Sequence, residues 1–302
     1  MVIYHGKFYK LSFSYLVMAK IISIINMKGG VGKTTLSVNL AYGLSKYHHK
    51  RVLLVDVDPQ FNATQYLYPI SKYLEFMKKK GSCTIKDIFI DRPTEIMGTV
   101  TDEKKKADAV ILSIANCAIR VYKNDSGFLD LIPSTLELME ADNMRRGIEN
   151  RLKIFLDKVR DNYDYIIIDC PPTMSVFTAS AYIASDAYLI TIKPDYLSSV
   201  GISLLLRAMK NYEESYGISR KPIGIVFTMV MGNTTLAKQV MGQIRKAYSP
   251  KMKIFDNCMS HTTKIAKTVG ENKTIFDIGG GRYSTEMKNI TKEFLDTLEE
   301  EE

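Results

Sequence analysis

A mostly parallel β-sheet, covered by helices on both faces, is the architecture this sequence predicts. Three observations point to it. Short apolar runs recur along the chain, with helix-length amphipathic stretches between most of them. Several of these runs end in a carboxylate or feed a glycine-rich turn. The 302 residues are 46% hydrophobic, which is ordinary for a chain with one substantial core. A short apolar run without alternation is what a strand buried on both faces looks like, and parallel sheets are buried in that way.

The first run covers residues 21–26; a glycine-rich turn follows at 28–32, then a helical pattern from 33 to about 46. Residues 51–56 form a second strand that ends in Asp56. Strand, loop, helix and strand make the start of a βαβ unit. Further strands are expected at 128–132, 165–169, 187–192, 223–228 and 252–255. Helical patterns cover 136–160, 198–216 and 236–247. Alternation of this kind argues for a single α/β domain over residues 20–302. Residues 71–127 read as a less regular elaboration with two lysine triplets, 78–80 and 104–106, which suit solvated faces. Residues 1–19 are expected to be an N-terminal extension outside the fold, because Met18-Ala19-Lys20 leads directly into the first strand.

Composition narrows the function classes. No two of Cys83, Cys117, Cys170 and Cys258 lie within four residues of one another, so no CxxC metal or redox pair exists. Such cysteine usage suits a reducing cytoplasm. The apolar stretch at 11–19 is too short to span a bilayer. A net charge of +8 points to an acidic partner, nucleic acid or a membrane surface, although solubility alone also accounts for it.

Residues 28–35 read Lys-Gly-Gly-Val-Gly-Lys-Thr-Thr between an apolar strand and a helix. Glycines let the backbone curl until successive N–H groups point at phosphate oxygens. The helix N-terminus adds unpaired amides and partial positive charge at the same place. Gly29, Gly30, Val31 and Gly32 therefore form the cradle. Lys33 can reach the β- and γ-phosphates of ATP, the Thr34 hydroxyl can ligate Mg2+, and Thr35 can contact the α-phosphate. The spacing also places Lys28, a second cation, close to the phosphates. The run 163–169 ends in Asp169 and continues as Cys170-Pro171-Pro172, so that an apolar strand carries a carboxylate toward the metal shell.

Lys28 ahead of the glycines, with Asp56-Val57-Asp58-Pro59-Gln60-Phe61-Asn62-Ala63-Thr64 and Asp169-Cys170-Pro171-Pro172, resembles the deviant Walker A ATPases of the ParA/MinD superfamily, and the ParA/Soj partition ATPases in particular. The resemblance runs from residue 20 to about 295 and implies a P-loop NTPase sandwich. It implies that Lys28 crosses a homodimer interface to the partner's nucleotide and that Asp58 orients the attacking water. Asp56 supports the metal site, Asp169 holds Mg2+ through water, and Met229 lies near the adenine.

Among branches of that superfamily, a MinD-like membrane-associated regulator would end in a basic amphipathic helix, whereas residues 299–302 are all glutamate, which an anionic bilayer repels. Residues 232–290 hold ten Lys or Arg against four acids. ParA relatives use basic residues in this part to bind DNA non-specifically, which implicates Lys238, Arg245, Lys246, Lys264 and Lys267. The chain departs from the chromosomal pattern at Asn233 and at Met259-Ser260, where an arginine and a proline-arginine turn are expected. The implied function is ATP-dependent, DNA-bound segregation of a plasmid or chromosome on the nucleoid, with hydrolysis stimulated by a ParB-like centromere-binding partner. A ParA-like positioning ATPase for another cargo is the alternative.

Overall fold

A computed structural model describes residues 2–4, 7–9, 18–90, 112–143, 147–232, 234–278 and 281–300. Its centre is a seven-stranded sheet. In chain order the strands are β3 (Lys20–Ile25), β4 (Arg51–Asp56), β5 (Ile119–Lys123), β6 (Phe128–Ile132), β7 (Tyr165–Asp169), β8 (Ala187–Ile192) and β9 (Lys221–Phe227). Their spatial order is β5-β6-β4-β7-β3-β8-β9, and every neighbouring pair is parallel except β5-β6. A separate antiparallel pair, β1 (Val2–Tyr4) and β2 (Lys7–Tyr9), precedes it. The expected α/β architecture, a P-loop sandwich with a mostly parallel sheet, is the one observed.

Strand parity sorts the core into two layers. Ile22, Ile24, Val52, Leu54 and Ile167 face α1 (Lys33–Tyr47) and the C-terminal helix α11 (Arg282–Glu299). Ile21, Ile25, Leu53, Val55, Ile166 and Ile168 face the opposite layer. That layer includes α6 (Arg151–Val159), α7 (Val176–Ala184), α8 (Ser198–Tyr216) and α9 (Thr235–Tyr248). The strands read as unbroken apolar runs because both faces are covered.

Two local expectations fail. The helical pattern at 136–160 is broken: Leu136–Asn143 and Ile148–Asn150 are 3-10 turns, and only Arg151–Val159 is α-helical. Gly147 sits at φ 96°, a conformation no α-helix contains. The run 252–255 contributes one parallel bridge, Ile225 to Ile254, and no strand. Of the stretch 71–127, residues 71–90 and 112–127 are described. It contains α3 (Ile70–Lys78), α4 (Ile85–Phe89), α5 (Ile114–Cys117) and the edge strand β5. The second lysine triplet, 104–106, lies outside the described residues.

The β5–β6 turn rests on Asn124, whose side-chain oxygen accepts from the backbone of Ser126 (3.0 Å) and Gly127 (2.7 Å). A Cβ at Gly127 would lie 2.7 Å from the Ser45 carbonyl oxygen and 2.8 Å from His49 C, both rigid backbone. Gly127→Ala should therefore destabilise the domain by about 1–3 kcal/mol. Gly242→Ala, inside α9 with open space around its Cβ, should stabilise it by roughly 0.5–1 kcal/mol. Urea unfolding of the two variants checks the opposite signs.

Candidate active site

The C-terminal ends of β3, β4, β7, β8 and β9 share one edge of the sheet, where open α/β folds hold ligands. At that edge Asn26 bends the chain out of β3. Its amide donates to the Thr191 carbonyl and its oxygen accepts from Lys28 N at 2.8 Å. Gly30 (φ 69°) and Gly32 (φ 84°) then take left-handed conformations that a side chain would strain. The Thr228 hydroxyl pins the loop by donating to the Val31 carbonyl. No side chain caps the N-terminus of α1, so its first amides are free to meet an anion.

The loop encloses a cavity of about 320 Å³, lined by Gly29, Gly30, Val31, Gly32, Lys33, Thr34, Thr35, Asp58, Asn62, Tyr66, Pro172, Met229 and Val269. All the expected cradle residues thus meet around one space, with Met229 on its wall at φ 54°. Lys33 is buried and donates to the Lys28 carbonyl at 3.2 Å. Burial pulls its ammonium below the ordinary lysine range, opposed by Asp169, Cys170 and Asp58. Lys28 does not line the cavity. Its exposed ammonium pairs with Asp195 in the loop before α8. Burial works to raise the Asp195 carboxyl, but hydrogen bonds from Lys28 and Ser198 hold it below the usual carboxylate range.

Asp56 and Asp169 end adjacent strands in register, and both are fully buried. Asp169 Oδ1 accepts from Ser37 Oγ at 2.8 Å, while its Oδ2 is buried without a hydrogen-bond partner. Burial raises its carboxyl to about 6, against the lowering effects of Ser37, Thr34 and Lys33. The Asp169 oxygen that lacks a donor, beside the Thr34 hydroxyl, fits a divalent cation. Asp56, expected to support the metal site, is engaged by its own segment. Its oxygens accept from Asp58 N (3.2 Å), Thr64 N (2.8 Å) and Thr64 Oγ1 (2.8 Å). These three donors of its own segment fold residues 56–64 back on themselves. Asp58 comes to lie against the cavity, almost fully buried, with its carboxyl raised chiefly by burial.

The basic residues divide. Lys238 and Lys246 are exposed on α9, and Lys264 and Lys267 are exposed on α10 (Thr263–Gly270). Arg245 departs from the expected surface role. Its guanidinium donates to the Phe255 carbonyl at 2.8 Å and the Ile254 carbonyl at 3.4 Å, and pairs with Asp256. It fastens the 252–256 segment to α9. Where the proline-arginine turn was expected, Ser260 is held by Glu286, and Arg282 donates to the Ser260 hydroxyl. Asn233 lies outside the described residues. Sequence reading missed Ser37, Tyr66, Asp195 and Val269. Ser37 was recoverable, since it stands one helical turn after Lys33, and so was Tyr66, two residues past the 56–64 motif; Asp195 and Val269 come from distant segments with no shared motif.

A family model described as an AAA domain matches residues 19–221. The sporulation initiation inhibitor protein Soj of Bacillus subtilis is 34% identical over 263 residues, which cover 85% of this chain and 90% of Soj. The chain belongs to the ParA/Soj family of partition ATPases. The chromosome partitioning protein ParA of Myxococcus xanthus is 29% identical, over 87% of this chain and 84% of that one. Among solved structures, a putative plasmid partition protein of Borrelia burgdorferi bound to AMPPNP is similar at 26% identity and a TM-score of 0.68, covering 92% of this chain and 99% of that one. The fold alone is also shared with Cyanothece McdA, at 19% identity and a TM-score of 0.72. This ParA/Soj family member is accordingly an ATPase, and its cradle is where nucleotide affinity is to be sought. Lys33→Ala should abolish nucleotide binding, because among the described residues no other side chain lining the cavity carries a cation. A fluorescent-ATP titration at millimolar Mg2+ checks it; near-wild-type affinity would place the site elsewhere.

Proposed function

We propose that the protein is a partition ATPase in the full sense: it dimerises around ATP, binds DNA without sequence preference, and hydrolyses ATP under the control of a centromere-binding partner. Its place is the cytoplasm, on the nucleoid, and its task is segregation of a plasmid or chromosome. The observation that carries this reading is the division of labour between two lysines. Lys33 is buried in the cradle, whereas Lys28 lies outside the cavity lining, with an exposed ammonium paired to Asp195.

The chemistry follows from the residues around the cavity. The backbone of residues 29–32 and the N-terminus of α1 receive the phosphates, and Lys33 fixes their position. Mg2+ would be held by Thr34, Asp58 and Asp169, with Asp56 behind them, and would neutralise charge on the phosphate oxygens. Asp58 orients a water and accepts its proton, a role favoured by burial that already raises its carboxyl. Asp58→Ala should leave the nucleotide held by Lys33 and the loop, with Thr34 and Asp169 left for Mg2+, and slow single-turnover hydrolysis by roughly 10²–10⁴-fold. An unchanged rate would move the role to another group.

Dimerisation has a face to use. Directly after Asp195, the apolar side chains of Tyr196, Leu197, Val200 and Leu204 are exposed beside the cradle. A second copy docked there would bring its own Lys28 to this nucleotide. Lys28→Ala should therefore bind ATP as a monomer and fail to dimerise. Light scattering with a non-hydrolysable analogue decides the matter, and a variant that dimerises normally would remove the role in trans.

Lys238, Lys246, Lys264 and Lys267 supply the DNA surface, with no group among them arranged to read base edges. Among the described residues no helix is long and apolar enough to cross a membrane, and DNA is the acidic partner that these exposed lysines suit. Binding to random-sequence duplex should require ATP and weaken by about 0.9 log units per decade of salt for each phosphate neutralised. Replacing Lys264 and Lys267 together should flatten that slope without changing ATP affinity. Absence of ATP-dependent binding at low salt would overturn the DNA reading.

A further inference from the structure

Between the phosphate cradle and the basic helix α10 runs a chain of buried hydrogen bonds. It starts at Asn39, on the helix α1 that carries the cradle. The Asn39 amide donates to the Thr35 carbonyl at 2.8 Å and to the Tyr66 hydroxyl at 3.1 Å. The Tyr66 hydroxyl lies 2.7 Å from Thr268 Oγ1, and Thr268 Oγ1 donates to the Ile265 carbonyl at 2.7 Å. Since the Thr268 proton is directed to Ile265, the Tyr66 proton must point to Thr268. Every donor and acceptor therefore has one direction, from α1 through Tyr66 to α10.

Tyr66 belongs to α2 (Asn62–Leu67), which starts four residues after Asp58. Thr64, two residues before Tyr66, is held by Asp56. A second tie runs the same way: the Asn272 amide, just past α10, donates to the Gln65 carbonyl at 2.6 Å. On its other flank α10 exposes Lys264 and Lys267, while Val269 reaches the cavity wall. Phe61, between Asp58 and α2, sits at φ 43°, a left-handed conformation that an aromatic residue adopts only under constraint.

We propose that Tyr66 is a positioning residue: through Thr268 it couples the occupancy of the nucleotide cavity to the orientation of α10, and so to DNA affinity. A change at Asp58 or Thr35 moves α2 or α1, and the directed chain obliges α10 to follow. The inference rests on the DNA-binding reading above. It explains why a basic face that is exposed in the monomer would still respond to ATP.

The test uses the full chain and two single variants, Thr268→Val and Tyr66→Phe, with their double. Affinity for random-sequence duplex is measured with and without a non-hydrolysable ATP analogue. Thr268→Val should keep the wild-type affinity for fluorescent ATP. It should lose about tenfold of the ATP-dependent gain in DNA affinity, within the usual span of coupling between sites. Tyr66→Phe should lose as much, and the double no more than either single, because one chain is broken once. Thr268→Ser, which keeps the hydroxyl, should restore the gain. Full gain in both single variants, or failure of the serine to restore it, would overturn the proposal. Hydrogen exchange of residues 263–270 on adding the analogue separates the two readings. If the wild type shows no ATP-dependent DNA binding, the DNA reading has failed. The coupling then stands only if protection of α10 still changes with nucleotide in the wild type and not in Thr268→Val; equal behaviour would overturn it as well.

Discussion

Two fully buried carboxylates placed side by side at the ends of neighbouring strands set the terms for everything at this edge of the sheet. Asp56 and Asp169 are in register on β4 and β7 and both are completely buried. A buried carboxylate carries a desolvation penalty of several kcal/mol unless donors or a cation surround it. Burial and their mutual repulsion push the Asp56 carboxyl well above its ordinary range. Relief comes from the chain itself. Asp56 collects Thr64 and the Asp58 amide, which folds the 56–64 segment over the cavity. Asp169 collects Ser37 and lies close to Lys33, which ties α1 to the sheet. The demand for counter-charge that remains at Asp169 is the reason a divalent cation belongs there.

From this pair the rest of the site can be built outward. Once Thr64 is fixed, Ser134 N donates to its hydroxyl at 2.9 Å, so the β6 end is drawn to the same point. Once α2 is fixed, Tyr66 has only one way to satisfy its buried hydroxyl, between Asn39 and Thr268. An unsatisfied buried hydroxyl costs about 1–3 kcal/mol, enough to select one arrangement of α10 over its neighbours. The C-terminal segment is thus positioned by the nucleotide edge and not merely packed on the sheet. Arg245 does similar work nearby by clamping the 252–256 segment, which occupies most of its donors.

What was legible in the sequence was local. The cradle at 28–35, the strand ends at Asp56 and Asp169, and the two-sided burial of the strands all sit in contiguous runs whose physics is short-range. Six of the seven strand expectations match closely, at 21–26, 51–56, 128–132, 165–169, 187–192 and, within two residues at its start, 223–228. The misses share a cause. The helix expected at 136–160 fails at one glycine conformation, which periodicity does not register. The edge strand β5 is polar on one side and is defined by a turn at Asn124. Asp195 and Val269 come to the site from segments more than a hundred residues from the cradle, Tyr66 stands just past the 56–64 run, and net charge does not distinguish the clamped guanidinium of Arg245 from a free one.

The two cradle lysines show how burial alone can divide one motif into two parts. Lys33 lies in a low-dielectric pocket next to Asp169 and Asp58, where Coulomb attraction is strong and removal of the cation strands both acids. It is committed to its own cavity. Lys28, two residues before the first left-handed glycine of the loop, shares its ion pair with Asp195 in the open, and exposed pairs of this kind are worth only about 0–1 kcal/mol. Such a contact orients the ammonium without holding it. A polyphosphate presented by a second copy offers several charged oxygens in place of one partly solvated carboxylate, so exchange runs toward the nucleotide. The proposed dimer follows from that imbalance: the lysine that its own fold leaves weakly engaged is the one available to a neighbour.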